Sequence, residues 1–240
     1  MTSPIPLLQI DQIEVAYHRV ITALQGVSVD VSTGSIVAIL GTNGAGKTTT
    51  LRAVSGFIGL DDARVTAGRI VFDGEPIENQ PPHRITARGI VLVPERDKVF
   101  PNLTVAENLE ATVSRPGSDR RALMDAAWEL FPALTRLRRR TAGLLSGGER
   151  QMLAIGSALV CGPRLLLVDE PTEGLAPSIV SHLKDVFSEL ARTAALVIVE
   201  QNLPMVCAIA HKLYALKEGR IVAQITERDA IKPANCEAWL

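Results

Sequence analysis

Ile36-Val37-Ala38-Ile39-Leu40 followed by Gly41-Thr42-Asn43-Gly44-Ala45-Gly46-Lys47-Thr48 decides how this chain folds. Five consecutive apolar residues read as a strand buried on both faces, as in a parallel sheet. KTTTLRAVSGF reads as a helix, so the glycine-rich segment is the turn of a strand, loop, helix unit and fits GxxxxGK[ST]. Such glycines let successive N–H groups turn inward around phosphate oxygens, and the helix start adds a favourable dipole. Gly41, Asn43, Gly44, Ala45, Gly46, Lys47, Thr48 and Thr49 are the residues expected to hold a nucleotide. Lys47 would neutralise the outer phosphates, and Thr48 would ligate Mg2+.

Downstream, LLLVDE at 165–170 supplies a second buried strand with Asp169 and Glu170 at its carboxyl end, where ligands of parallel sheets collect. Asp169 would hold the magnesium through water, and Glu170 would polarise an attacking water. Together with the glycine loop, this pair marks a P-loop NTPase. GIVLVP and LVIVE are further buried-strand candidates, the latter preceded by a helix through IVSHLKDVFSEL. LLQIDQIEVAY and ALQGVSVDV alternate as an antiparallel sheet does, and GRIVFDGEPI and YALKEGRIVAQI read as hairpins turning at Asp73-Gly74 and Glu218-Gly219. From about 103 to 159 Ala, Leu, Arg and Glu dominate, as in helices. The expected architecture is an α/β core with a mostly parallel sheet, an antiparallel β subdomain and an inserted helical subdomain. It forms one domain over 1–240, with 1–98 and 160–240 as the nucleotide-binding core and about 99–159 as the helical lobe.

Of 240 residues, 47% are hydrophobic, which suffices for a well-buried core. Lys and Arg number 25 against 26 Asp and Glu, so a net charge of -1 provides no global attraction for nucleic acid or anionic lipid. Cys161, Cys207 and Cys236 fall in no metal-binding or paired spacing and are read as free thiols. The apolar runs are far shorter than the roughly 18 residues that span a bilayer. The opening MTSPIPLLQIDQIEV lacks a basic region followed by a long apolar stretch, so a cytoplasmic location is expected. His18, His83, His182 and His211 have no ligand spacing, and the basic run Arg138-Arg139-Arg140 reads as a solvated face.

Leu145-Ser146-Gly147-Gly148-Glu149-Arg150-Gln151 distinguishes among such NTPases. Ser146 could simply cap the helix that follows, yet a paired-glycine helix start also suits a phosphate. At this point the chain resembles the ABC ATPase family, whose signature is LSGGQ followed by a basic residue, with Glu149 here at the Gln position. The resemblance covers nearly the whole chain. It implies that Ser146, Gly147, Gly148 and Glu149 meet an ATP held by a second ABC ATPase subunit, the same chain or a paralogue, in a head-to-tail dimer. It further implies that Tyr17 stacks on adenine, and that PTEGLAP after Glu170 signals between the two ATP sites.

Two departures from the family stand out. Glu95 replaces the usual Gln that links magnesium to the helical lobe, and Gln201 replaces the usual His that touches the γ-phosphate. A carboxylate can still reach magnesium, and an amide can still donate to phosphate. VPE, VFPNLTVAENL, EGLAP and VEQN look like the ATPases of branched-chain amino acid importers and their urea or short-amide relatives. The resemblance thus implies transmembrane permease subunits as partners, a periplasmic or extracellular solute-binding protein acting indirectly, and a peripheral place on the cytoplasmic face of the inner membrane. Within transport, an exporter is the alternative. A nucleic-acid-handling ABC ATPase is disfavoured, because the interval from Lys47 to Ser146 is too short for long coiled coils.

Overall fold

The computed structural model describes residues 6–96, 98–236 and 239. The opening stretch read above for a leader lies partly outside them. Strand β3 (Ile36–Leu40), buried at every position, runs into the glycine loop and then into helix α1 (Lys47–Ser55). It pairs in parallel with β8 (Ala195–Glu200) on one side and β9 (Lys212–Lys217) on the other. Beyond β8 lie β7 (Leu165–Asp169) and β6 (Ile90–Val93), also parallel, while β10 (Arg220–Ile225) closes the other edge antiparallel to β9.

Both faces of this sheet are covered, which is why its strands are continuous apolar runs instead of alternating ones. Val37, Ile39, Leu165, Leu167, Val197 and Val199 enter one core, shared with α1 and the antiparallel sheet. Ile36, Leu166, Val168, Leu196 and Ile198 enter a second, shared with α6 (Gly147–Val160) and α7 (Pro177–Leu190). Ala38 and Leu40 join a smaller third core under α8 (Leu203–Ile209). One short strand therefore anchors the glycine loop in all three.

The antiparallel sheet is built from β1 (Leu8–Tyr17), β2 (Ile21–Val31), β4 (Ala63–Phe72) and β5 (Glu75–Pro76), in the order β2-β1-β4-β5. It is tied to the parallel sheet where the Asp30 N–H donates to the Tyr214 hydroxyl at 3.1 Å. The two expected hairpins are present. Asp73 and Gly74 have φ of 53° and 81°, and Glu218 and Gly219 have 48° and 75°, the left-handed pairs that a two-residue turn between twisted strands demands.

Between β6 and β7 the chain is helical, with α3 (Val105–Glu110), α4 (Arg120–Leu130), α5 (Pro132–Arg136) and α6. Both α3 and α6 begin with reciprocal caps, Thr104 with Glu107 and Ser146 with Glu149. Buried Asn108 pins the preceding loop, accepting from the Phe100 N–H at 2.7 Å and donating to the Phe100 carbonyl at 3.0 Å. That loop holds the Phe100 ring 61% exposed. The short helices α2 (Pro82–Ala87), α8 and α9 (Pro233–Cys236) were not anticipated from sequence. In α2 and α8 a proline in the first turn helps fix the start.

Phe131 is fully buried among these helices, edge-on to His182 with ring centroids 6.2 Å apart. Phe131→Ala should cost about 3 to 5 kcal/mol of unfolding free energy, the usual penalty for emptying such a site. Urea titration reads it as a lower midpoint with an unchanged slope, and a loss under about 1 kcal/mol would contradict this packing.

Candidate nucleotide-binding and catalytic site

The glycine loop is held where only glycine fits at two of its positions. A Cβ on Gly41 would lie 2.5 Å from the Leu216 carbonyl oxygen, and Gly46, at φ 106°, would place one 2.7 Å from a Leu24 methyl. Gly46 caps α1 with no side-chain hydrogen bond, so the first N–H groups of α1 are not consumed by a cap. Thr42 and Ala45 close the loop through a backbone hydrogen bond of 3.2 Å.

Lys47 is buried; its ammonium donates to the carbonyls of Gly41 at 2.8 Å and Thr42 at 3.0 Å and forms an ion pair with Glu170 Oε1 at 3.0 Å. Thr48 donates its hydroxyl to Asp169 Oδ1 at 3.2 Å. Burial pushes the Asp169 carboxyl up to about 6; the Thr48 hydrogen bond opposes this, and the charges of Glu170 and Glu95 reinforce it. Hydroxyl and carboxylate oxygens are the hard donors that magnesium prefers, and a cation there would relieve the cost of ionising Asp169.

Glu170 sits one residue past β7 at φ 42°, a left-handed conformation unusual for a non-glycine residue. Its N–H is held by the Val199 carbonyl at 3.0 Å. Gln201 brings its amide to the same carboxylate, donating to Glu170 Oε2 at 3.1 Å, and also to Asn43 Oδ1 at 2.7 Å. The loop, the end of β7 and the end of β8 thus meet at one place. An open cleft of about 480 Å³ there is walled by Asn43, Gly44, Lys47, Thr48, Glu95 and Glu170, with Ile21 and Thr22 from the antiparallel sheet. Glu95 also accepts from Arg96 at 2.9 Å.

Three expected residues are placed differently from the core set. Tyr17 packs against the first core with its hydroxyl 3.3 Å from Thr49, while Ile21 and Ala23 are apolar residues that wall the cleft. Ser146 is exposed and does cap α6: its hydroxyl accepts from the Glu149 N–H at 3.3 Å, and the Glu149 carboxylate accepts from the Ser146 N–H at 2.7 Å. Gly148 is buried and has a packing reason, since a Cβ there would approach the Ile179 side chain to 3.1 Å. None of residues 145–151 lines the cleft.

Sequence reasoning missed Glu200, Thr172, Lys98 and Gln151. Glu200 is buried and accepts from both the N–H and the hydroxyl of Thr172. Lys98, held below the usual lysine range by burial, contacts the buried Gln151 of α6 and so links the segment after Glu95 to the helical region. An acid ending an apolar strand, as in LVIVE, was the one available signal for Glu200. Among the described residues no group of three or more His, Cys, Asp or Glu side chains is arranged to hold a metal ion by itself, and the three cysteines are free thiols.

Residues 24–173 match the protein family described as ABC transporter. The chain belongs to that family. Over 92% of its length the ATPase is 40% identical to the high-affinity branched-chain amino acid transport ATP-binding protein BraG of Pseudomonas aeruginosa, covering 93% of it. It is 37% identical to a probable branched-chain amino acid transport ATP-binding protein, LivF, of Archaeoglobus fulgidus, at the same coverages. A lipopolysaccharide export ATP-binding protein, LptB of Haemophilus influenzae, is 36% identical over 82% of the ATPase and 81% of its own length. Among solved structures, a nucleotide-free ATP-binding cassette from an ABC transporter superposes with a TM-score of 0.84 at 27% identity, covering 98% of this chain and 99% of that one. An ADP-bound conformation of another cassette gives 0.80 at 26% identity, covering 98% and 96%. This chain is accordingly the nucleotide-binding, ATP-hydrolysing subunit of an ABC transporter.

The raised Asp169 carboxyl carries a pH signature. A pKa of about 6 against 3.8 means the folded ATPase holds that proton more tightly than the unfolded chain, so this contribution is complete below pH 3.8 and lost as pH rises through about 6. At neutral pH, without divalent cation, the ionised group costs on the order of 2–3 kcal/mol. Asp169→Asn should therefore gain melting temperature relative to the parent between about pH 4 and pH 7. A difference between the two melting curves that is flat across that range would refute the assignment.

Proposed function

We propose that this ATPase powers an importer for branched-chain amino acids, working as a head-to-tail pair with a second ABC ATPase subunit beneath separate transmembrane permeases. The single observation that carries the catalytic part is the cleft walled by Lys47, Thr48 and Glu170, with Asp169 hydrogen-bonded to Thr48 and Gln201 to Glu170 behind them. In this reading Lys47 and the loop N–H groups hold the triphosphate, and Glu170 is the general base. A phosphate drawing Lys47 to itself would release Glu170 from its 3.0 Å ion pair and leave the carboxylate able to accept a proton from water. Gln201, already bonded to Glu170 and Asn43, would orient that water and donate to the γ-phosphate. Thr48, Asp169 and Glu95 would hold Mg2+, which would supply positive charge against the phosphates.

Ser146, Gly147, Gly148 and Glu149 would face the nucleotide of the other subunit. The exposure of Ser146 and Gly147, and the absence of all four from this chain's own cleft, support that assignment. ATP then favours the closed pair, because only that state offers the triphosphate both surfaces. Tyr17 would stand beside the base together with Ile21. The helical lobe, about 99–159, would carry the change to the permease, with Phe100 presented by its loop. Among the described residues no helix is long and apolar enough to cross a membrane. In this reading the permease is a separate partner, with a solute-binding protein acting through it. The place of work would be the cytoplasmic face of the inner membrane.

The importer reading draws on BraG and LivF, whose names specify branched-chain amino acid transport. The 36% identity to LptB favours an exporter as the second reading. Glu170→Gln should lower ATP turnover by about 10²- to 10⁴-fold with ATP binding intact; unchanged turnover would defeat the general-base role. In a deletion strain, loss of labelled leucine uptake with urea uptake preserved is the expected outcome, and the reverse would reassign the cargo.

A further inference from the structure

Glu200 ends β8 with its side chain 3% exposed, and its carboxylate gathers four donors. Oε1 accepts from the Thr172 N–H at 2.9 Å and the Thr172 hydroxyl at 2.7 Å. Oε2 accepts from the N–H groups of Gln201 at 3.0 Å and Asn202 at 3.1 Å. The Thr172 hydroxyl in turn accepts from the Asn202 amide at 3.3 Å, and Asn202 caps α8. One carboxylate thus fastens the chain two residues after Glu170 to the backbone that carries Gln201.

We propose that Glu200 is a positioning residue for hydrolysis, fixing the separation and orientation of Glu170 and Gln201 by bridging the backbone beyond each. The inference rests on the hydrolytic reading of those two residues. An ionised carboxylate is acceptor-only, with lone pairs enough for all four donors. Its isostere Gln is not. With its NH2 toward Gln201 and Asn202 it would confront two N–H donors; toward Thr172, the hydroxyl could turn to accept but the Thr172 N–H would lose its partner. Glu170 has little slack to absorb such a change, because it already occupies a left-handed conformation at φ 42°. Its side chain reaches Gln201 by hydrogen bonds of 3.1 Å and 3.4 Å. Neither Glu200 nor Thr172 lines the cleft, so the effect falls on the reacting geometry and not on the grip on nucleotide.

The test uses the full-length chain. Steady-state ATPase assays and equilibrium binding of a fluorescent ATP analogue are run on Glu200→Gln, Gln201→Ala, the double variant and Glu170→Gln. For Glu200→Gln, kcat should fall about 10- to 100-fold while the analogue's Kd stays within about threefold. In the Gln201→Ala background the same substitution should cost far less, because the residue it positions is already gone. A kcat within about twofold of the parent, a parallel loss of kcat and affinity, or losses that multiply in the double variant would each overturn the role. Should Glu200→Gln fail to fold, Thr172→Val removes the hydroxyl, with its bonds to Glu200 and to the Asn202 amide, and leaves the Thr172 N–H on Glu200 in place. It should lower kcat about tenfold at unchanged Kd, and an unchanged kcat would overturn the proposal. Turnover retained in Glu170→Gln would remove the hydrolytic reading and this inference with it. Turnover lost there but kept in Glu200→Gln removes the positioning role alone.

Discussion

An ammonium and a carboxylate face each other at 3.0 Å where two strand exits meet, both largely shielded from water. A charge so placed must be paired and its remaining hydrogen bonds filled, or it costs more than the fold can spare. Lys47 meets both conditions, because its other two donors reach carbonyls of the loop that carries it. The loop must therefore curl back over its own lysine, and Glu170 must turn toward it. The glycine at 41, the uncapped start of α1 and the left-handed backbone at Glu170 all serve that one arrangement.

The remaining polar groups of the site extend outward from this pair as a connected set. Thr48 joins Asp169, Gln201 joins Glu170 to Asn43, and Glu200 joins the segments behind them. Networks of this kind, held in a low-dielectric setting, either satisfy every member or lose most of their worth. The apolar cores supply the low dielectric, since the strands that deliver Asp169 and Glu200 are buried from end to end.

The parallel core and its two acids were legible because buried strands and a phosphate loop leave strong local marks: five apolar residues, then GTNGAGKT, then LLLVDE. Both hairpins were legible from Asp73-Gly74 and Glu218-Gly219, where backbone sterics dictate residue type. Contacts that bring distant segments together had no such mark. Nothing local in LVIVEQN announces that Glu200 will collect two donors from residue 172, or that Tyr17 will spend its hydroxyl on Thr49. The packing at Gly148 had no local mark either: the Ile179 side chain that crowds a Cβ there belongs to another helix.

The cap of α6 has one more consequence. Glu149 stands where the family usually has an uncharged amide, and its carboxylate is held below the usual range by the Ser146 N–H first and the Ser146 hydroxyl second. The positive end of that helix is thus already answered by an anion from its own first turn. In the proposed pair, a neighbour's triphosphate reaching Ser146 meets negative charge along with the helix dipole. If the proposed pair forms as described, the side chain that steadies this tip would weaken its hold on a borrowed nucleotide, tilting the two-subunit clasp toward letting go.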